Sequence, residues 1–270
     1  MSGTTVEFGT DGPDTITAPA GEALIAFGLG AGDSITGGDL ADVLSGDGGD
    51  DTVNGGGGND VILTNGGDDT INTGAGDDLI RAGAGNDSVG GMAGRDTVFG
   101  GPGDDNVAWN DPTGDLVFGG QGHDTLRGGD VAADTIFGGG GDDLIRAVAN
   151  QDLDTHAADM LFGDDGNDAV LGGNADDTIE GGAGNDTLAG FDGADRFVFR
   201  ADQPGDDTVN DFDTSEDVAE LVGFDAGFDP LANLSQEASG TVLDLGDAGQ
   251  VLFFGRLVNE FGAEDFVVVA

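Results

Sequence analysis

Gly55-Gly56-Gly57-Gly58-Asn59-Asp60-Val61-Ile62-Leu63 is one line of a nine-residue pattern, Gly-Gly-x-Gly-x-Asp-x-(apolar)-x. The pattern returns at Gly119 to Arg127, Gly138 to Arg146 and Gly181 to Ala189, and it can be followed from Gly9 to Val198. Aligned on the apolar eighth position, the rows read Ile16, Ile25, Ile35, Leu44, Val53, Ile62, Ile71, Ile80, Val89, Val98, Val107, Val117, Leu126, Ile136, Ile145, Leu161, Val170, Ile179, Leu188 and Phe197, twenty in all. β-Branched residues dominate the series, as short buried strands require. A three-residue strand sends its middle side chain to one face and the two flanking ones to the other. The eighth position therefore points inward, and positions seven and nine point out. The six residues before each strand must reverse the chain, and Gly supplies the backbone conformations and close approach for that. The expected turn glycines include Gly55, Gly56, Gly58, Gly76, Gly85, Gly103, Gly122, Gly141, Gly166 and Gly184. Two rows make one coil, and ten coils give a rod about 48 Å long.

The sixth position carries Asp in nineteen of the twenty rows, with Ala23 as the exception. Rows two apart stack, so the acids form two edges. One is Asp14, Asp33, Asp51, Asp69, Asp87, Asp105, Asp124, Asp143, Asp168 and Asp186; the other is Asp42, Asp60, Asp78, Asp96, Asp115, Asp134, Asp159, Asp177 and Asp195. Carboxylates one strand spacing apart repel by roughly 1 kcal/mol in water, and more near a protein surface. Summed over both edges, the repulsion rivals a whole domain's stability of about 5–15 kcal/mol. The roll should not close without cations. A hard dication with six or more oxygen ligands meets the need, with carboxylates and turn carbonyls converging on it between adjacent loops. The expected metal ligands are the Asp residues from Asp42 and Asp51 through Asp186 and Asp195, with about 15 Ca²⁺ ions if each interior gap holds one.

Composition agrees. The chain has 270 residues, 55 Gly, 54 acidic residues, 7 Arg and no Lys, for a formal charge of -47. Nucleic acid and anionic membranes are poor partners for such a surface, and a multivalent cation is a good one. Cysteine is absent, which excludes disulfides and thiolate chemistry. No apolar run approaches ~18 residues, so no membrane span is expected. Met1 to Thr10 lacks a basic n-region and an apolar h-region, so an N-terminal Sec-type signal is not expected. An acidic disordered tract would share the charge, but it would not need an aliphatic residue two places after each Asp.

From Gly9 to Val198 the chain resembles the repeats-in-toxin (RTX) family of calcium-binding nonapeptide repeats, over about 70% of its length. The resemblance implies an all-β fold, a right-handed parallel β-roll with a C-terminal β-rich cap. It also implies calcium between stacked loops, disorder without calcium, and folding after export. Residues 1–36 read as degenerate capping rows, because Pro13 and Ala23 break the motif and the third row is irregular. Residues 37–198 read as the calcium-binding roll and 199–270 as the cap. In the cap, Thr241 to Leu245 and Gln250 to Phe254 flank Gly246-Asp247-Ala248-Gly249 as a hairpin. The region resembles the segment after the roll in secreted RTX proteases and alginate epimerases, which implies a type I secretion signal and a partnership with that machinery.

The two outer faces differ. One carries polar pairs such as Thr52/Asn54, Thr70/Asn72 and Ser88/Gly90; the other carries Leu63, Leu79, Phe99, Leu116, Phe118, Phe137, Met160 and Phe162. The four Phe residues fall on successive coils and should form an aromatic ladder. An exposed apolar stripe of that extent marks an interface, so homo-oligomer or lattice contact is expected unless the C-terminal segment folds back over it. Longer spacings at Trp109 to Pro112, Gly128 to Ala133 and Ala147 to Ala158 bulge from one edge. They are either a recognition lip or a local packing of Trp109, Val131, Val148 and Leu153. No His-Glu-x-x-His, Gly-x-Ser-x-Gly or Walker-type loop is present. The two histidines, His123 in a variable turn position and His156 in the longest insert, are expected at the surface. The expected function is a secreted, non-enzymatic calcium-binding structural protein that self-associates into a surface layer, filament or matrix. The alternative is an accessory module for a polysaccharide or protein partner. Ice binding by the Thr/Asn face, or an unrecognised hydrolase, are weaker readings.

Overall fold

The chain is described from a computed structural model. It covers residues 3–109, 112–129, 131–147 and 157–270. Two sheets face each other across one core, and successive strands alternate between them as far as Val218–Val222. The first sheet has 13 strands, from Thr4–Phe8 to Phe266–Val269, all parallel; each pairs with the strand two further along the chain, except that Val218–Val222 pairs with Phe266–Val269. The second has 14, beginning at Thr15–Thr17. This is the parallel β-roll expected from the repeat.

Inward side chains form continuous columns. Ile62 pairs with Ile80, Val98 with Val117, and Val117 with Ile136, and each is 0% exposed. Most neighbours at positions seven and nine are half-buried or exposed, as in Thr135–Gly140, with Ser45, Glu180, Ala189 and Val198 buried. Many strands run six residues rather than three, because the first glycines of the next turn stay in the ladder, as in Thr135–Gly140. Each coil buries only two apolar side chains, so truncating one leaves a void its stacked neighbours cannot fill. Ile136→Ala is expected to cost about 2–5 kcal/mol, read as a lower calcium-loaded melting midpoint; an unchanged midpoint would contradict the packing.

The second row differs from expectation. Ala26 pairs with Leu44 in the core column, and Ile25 pairs with Val43 on the outer face. Leu24, not Ala23, occupies the sixth position, and its N–H donates to Asp42 Oδ1 at 2.6 Å. The row is therefore shifted by one residue. An alternating strand exchanges its faces under such a shift, and Leu24 and Ala26 are both fully buried there.

Beyond Val198 the nonapeptide is lost but the ladder continues. Gly205–Val209 stacks in parallel on Thr187–Phe191, and Val218–Val222 on Arg196–Arg200. The hairpin of Gly240–Asp244 and Gly249–Phe254 is antiparallel, and its second strand pairs in parallel with Gly205–Val209. Phe197, Phe212, Phe253, Phe261 and Phe266 pack ring on ring at this end, replacing aliphatic columns with one aromatic plug. The C-terminal strands thus extend both sheets along the stack.

Candidate metal centre

Each turn brings the chain round on glycines. Gly85 illustrates why: its φ is +138°, and an added Cβ would overlap the carbonyl oxygen of Gly67 one coil earlier. Only glycine tolerates both conditions. Gly103, Gly122, Gly141, Gly166 and Gly184 occupy the equivalent place. The turn then delivers Asp at the sixth position, side chain inward.

These aspartates form two continuous rails. The N–H of Asp51 donates to Asp69 Oδ1 at 2.7 Å, that of Asp69 to Asp87 at 2.8 Å, and that of Asp87 to Asp105 at 2.8 Å. The same bond runs from Asp14 to Asp186 on this edge. On the other edge it runs from Asp42 to Asp195. Both continue one coil past the motif, through Asp207 and Asp217. From Asp42 to Asp195 no rail carboxylate is more than 4% exposed.

Oδ1 is thus satisfied by a backbone donor; Oδ2 accepts the N–H of Gly38 at Asp42, of Gly129 at Asp134 and of Gly173 at Asp177, and is the chemically open atom along most of the remaining rail. Oδ2 of Asp51, Asp60, Asp87, Asp105, Asp124, Asp143, Asp168, Asp186 and Asp195 is buried with no hydrogen-bond partner. Orphaned buried acceptors are uncommon because each carries a desolvation cost of about 1–3 kcal/mol. The space in front of them is defined by the first glycine of each row. A Cβ at Gly119 would lie 2.6 Å from the Gly138 carbonyl oxygen and would overlap Asp124 Oδ2; at Gly138 it would lie 2.6 Å from the Gly163 carbonyl oxygen and would overlap Asp143 Oδ2. One carboxylate oxygen and one carbonyl oxygen of the next coil converge there. These are donors for a hard cation. Among the described residues no three His, Cys, Asp or Glu side chains are grouped so as to hold a metal ion by themselves. A cation must therefore draw on one carboxylate per turn together with backbone carbonyls. At Thr64 the glycine is replaced, and the hydroxyl donates to the Ala82 carbonyl at 2.7 Å.

Electrostatics show the same demand. Burial, then like-charged neighbours on the rail, push Asp60, Asp105, Asp143, Asp168, Asp186 and Asp195 up to about 7 against the backbone bond that lowers them. Asp159 rises to about 8 for the same reasons. A metal-free roll at neutral pH thus holds carboxyls that resist ionising.

A second rail lies outside the first, at the fifth position of the repeat. Asp68 N–H donates to Asp50 Oδ1, Asn86 to Asp68, Asp104 to Asn86, and His123 to Asp104. Its side chains reach forward along the stack, whereas those of the buried rail reach back. His123 Nδ1 takes the next place, accepting from Asp142 N–H at 2.8 Å. The recurrence of Asn, Asp or His at this position was the available signal. His156, Val148 and Leu153 lie outside the described residues. Trp109 is buried in the core, while Val131 is 47% exposed and does not pack with it as a cluster would require.

The apolar positions Leu63, Leu79, Phe99, Leu116, Phe118, Phe137, Met160 and Phe162 share the outer face of the first sheet. The four Phe rings stack with centroids 4.9, 5.0 and 4.7 Å apart.

Among solved structures, the chain is similar to the extracellular lipase LipA from Serratia marcescens, at 22% identity and a TM-score of 0.41, over 77% of this chain and 44% of the lipase. It thus spans less than half of that protein. It is also similar to the AlgE6R3 subunit of the Azotobacter vinelandii mannuronan C5-epimerase, at 26% identity and a TM-score of 0.27, over 51% of this chain and 79% of that one. No curated protein matches the chain. The family described as RTX calcium-binding nonapeptide repeat matches residues 27–62, 54–89, 63–98, 89–108, 118–153, 157–179 and 171–203, more than half of the sequence. The matched segments carry most of the rails and their turns, and the chain belongs to the RTX calcium-binding nonapeptide repeat family.

Proposed function

We propose that this is a secreted, non-enzymatic structural protein whose folding is driven by calcium and which self-associates through the apolar face of its first sheet. The observation that carries the calcium reading is the double rail of buried aspartates, on which Oδ2 of Asp51, Asp60, Asp87, Asp105, Asp124, Asp143, Asp168, Asp186 and Asp195 has no hydrogen-bond partner and turn carbonyls converge beside it. In this reading Asp42, Asp51, Asp60 and their successors to Asp195 each contribute a carboxylate oxygen to a cation held between adjacent turns, about 15 ions in all if every interior gap is filled. When bound, the ion supplies the positive charge that cancels rail repulsion. The protein supplies the oxygens, their spacing and a dry setting. Binding free energy then becomes folding free energy, because the donors converge only in the coiled chain.

The non-enzymatic reading is supported by the place of the candidate side chains. The repeat aspartates are used by the rails, and His123 is used by the outer rail. Self-association is supported by the stacked Phe ladder, which the C-terminal strands extend beside rather than cover. Circular dichroism during a calcium titration tests the central claim. The chelated protein at neutral pH should lack sheet signal and gain it cooperatively over roughly 0.1–1 mM calcium. A full sheet spectrum in excess chelator at that pH would refute it.

A further inference from the structure

One outer column of the first sheet reads, coil after coil, Arg81, Phe99, Phe118, Phe137, Phe162, Glu180. Leu63 precedes it and Val198 follows it. The rings are nearly coplanar in their stacking, with interplanar angles of 4°, 6° and 8°. The Arg81 guanidinium carbon sits 5.4 Å from the Phe99 ring centroid. In chemical character the column is a palindrome about the midpoint between Phe118 and Phe137. Phe answers Phe twice and Arg81 answers Glu180, which is 6% exposed; Val198, also 6% exposed, is packed away and takes no part.

We propose that a second copy of this chain seats on this face antiparallel, related by a two-fold axis that runs along the strand direction between Phe118 and Phe137. The proposal rests on the self-association reading above and adds its register. A two-fold contact must match one patch with itself. Two in-plane axes could do so. An axis along the roll would set Arg81 against Arg81 and Glu180 against Glu180, and like charges across an interface suppress association. The axis along the strands reverses coil order and sets each cation against the opposite acidic end.

The neighbouring column fits the same operation. Gly83, Gly101, Gly120 and Gly139 stand beside Arg81 and the first three Phe residues, so the rings rise above a flat shelf. A groove of about 420 Å³ lies there, lined by Arg81, Phe99 and Gly101 among others. On the next coil that column carries Asp164, a non-glycine at φ +72°. Reversal lays the partner's Asp164 over Gly101, one coil and one column from Arg81 and within reach of its long side chain. Glu180 is already bonded by Arg200 at 2.6 and 2.9 Å. Neither Arg81 nor Asp164 makes an ion pair among the described residues, so each is available to the other copy.

The chain has no cysteine, so introduced thiols report geometry cleanly. Thr97 and Met160 face one another across the proposed axis; Thr97 is partly exposed and Met160 is 46% exposed. Thr97→Cys and Met160→Cys proteins are prepared separately, loaded with calcium and treated with a bismaleimide spanning about 10 Å, the spacing of facing sheets. The mixture is expected to give covalent dimer, and each variant alone is expected not to. Arg81→Glu, an exposed position, should weaken dimerisation at least about tenfold in sedimentation while leaving the calcium-loaded sheet spectrum intact. A dimer that cross-links Thr97→Cys to itself, or yields no mixed product, overturns the antiparallel register and leaves self-association standing. A calcium-loaded parent that sediments as monomer at every concentration overturns both.

Discussion

Freed of calcium, the protein is expected to be folded near pH 5 and unfolded near pH 8, the reverse of ordinary acid denaturation. The sign follows from the rails. In the metal-free roll, burial and rail neighbours raise Asp51, Asp78, Asp87 and Asp124 to about 6, and Asp60, Asp105, Asp143, Asp168, Asp186 and Asp195 to about 7. The unfolded chain titrates near the ordinary value of 3.8. Between about pH 4 and 7 the folded state therefore binds protons that the unfolded state has released. Stability falls as pH rises wherever the folded state holds more protons. The contribution is fully present below the unfolded value and is lost as pH climbs through 6 and 7. Calcium acts on the same oxygens with the opposite sign, because only the ionised carboxylate is a ligand. Its midpoint for folding should move to higher concentration as pH drops from about 8 to 6, with proton release on binding. Circular dichroism in chelator across pH, repeated at fixed calcium, measures both. A chelated protein equally unfolded at pH 5 and 8 would remove the rails from the account.

Asp105→Asn should change sign with calcium. Asp105 is 2% exposed; its Oδ1 accepts from Asp87 N–H at 2.8 Å, and its own N–H donates to Asp124 Oδ1 at 2.7 Å. Asn keeps the Oδ1 acceptor and so preserves the rail. It replaces the orphaned Oδ2 with an amide donor at a place where the Gly119 carbonyl oxygen also converges. Without metal, a repelling carboxylate becomes a hydrogen-bond donor to a facing carbonyl. The roll should gain about 1 kcal/mol, seen as a higher pH midpoint for unfolding in chelator. With calcium, a ligand is lost from the gaps it borders and the remaining buried charge is unbalanced. The calcium-loaded form should lose on the order of 3 kcal/mol, seen as a lower melting midpoint. A variant destabilised equally in both conditions would mean that Asp105 serves only as a turn residue.

The row spacing made most of this legible. Asp at position six and an aliphatic residue at position eight assign every regular row to a face and an edge, and the hydrogen bonds join the same rail members in the same order. The second row was illegible because Ile25 and Ala26 are both apolar. Composition does not choose between two registers one residue apart; only the pairing of Ala26 with Leu44 does. The outer rail was missed because Asn and Asp are common in any turn. Their role appears only when residues 18 apart are seen to share a bond, as Asp68 does with Asn86.

The amino-acid sequence alone determined the coil and its two acidic edges, because a strict short period converts residue type directly into position. Tertiary structure decided what period cannot express. The ladder runs on past Val198 through Gly205–Val209 and Val218–Val222 without the motif, since parallel pairing requires backbone geometry rather than glycine spacing. The last strands lengthen the stack instead of crossing the Phe column. Arg81 and Glu180, far apart in the chain, come to flank one run of four Phe rings only when the coils are placed in space.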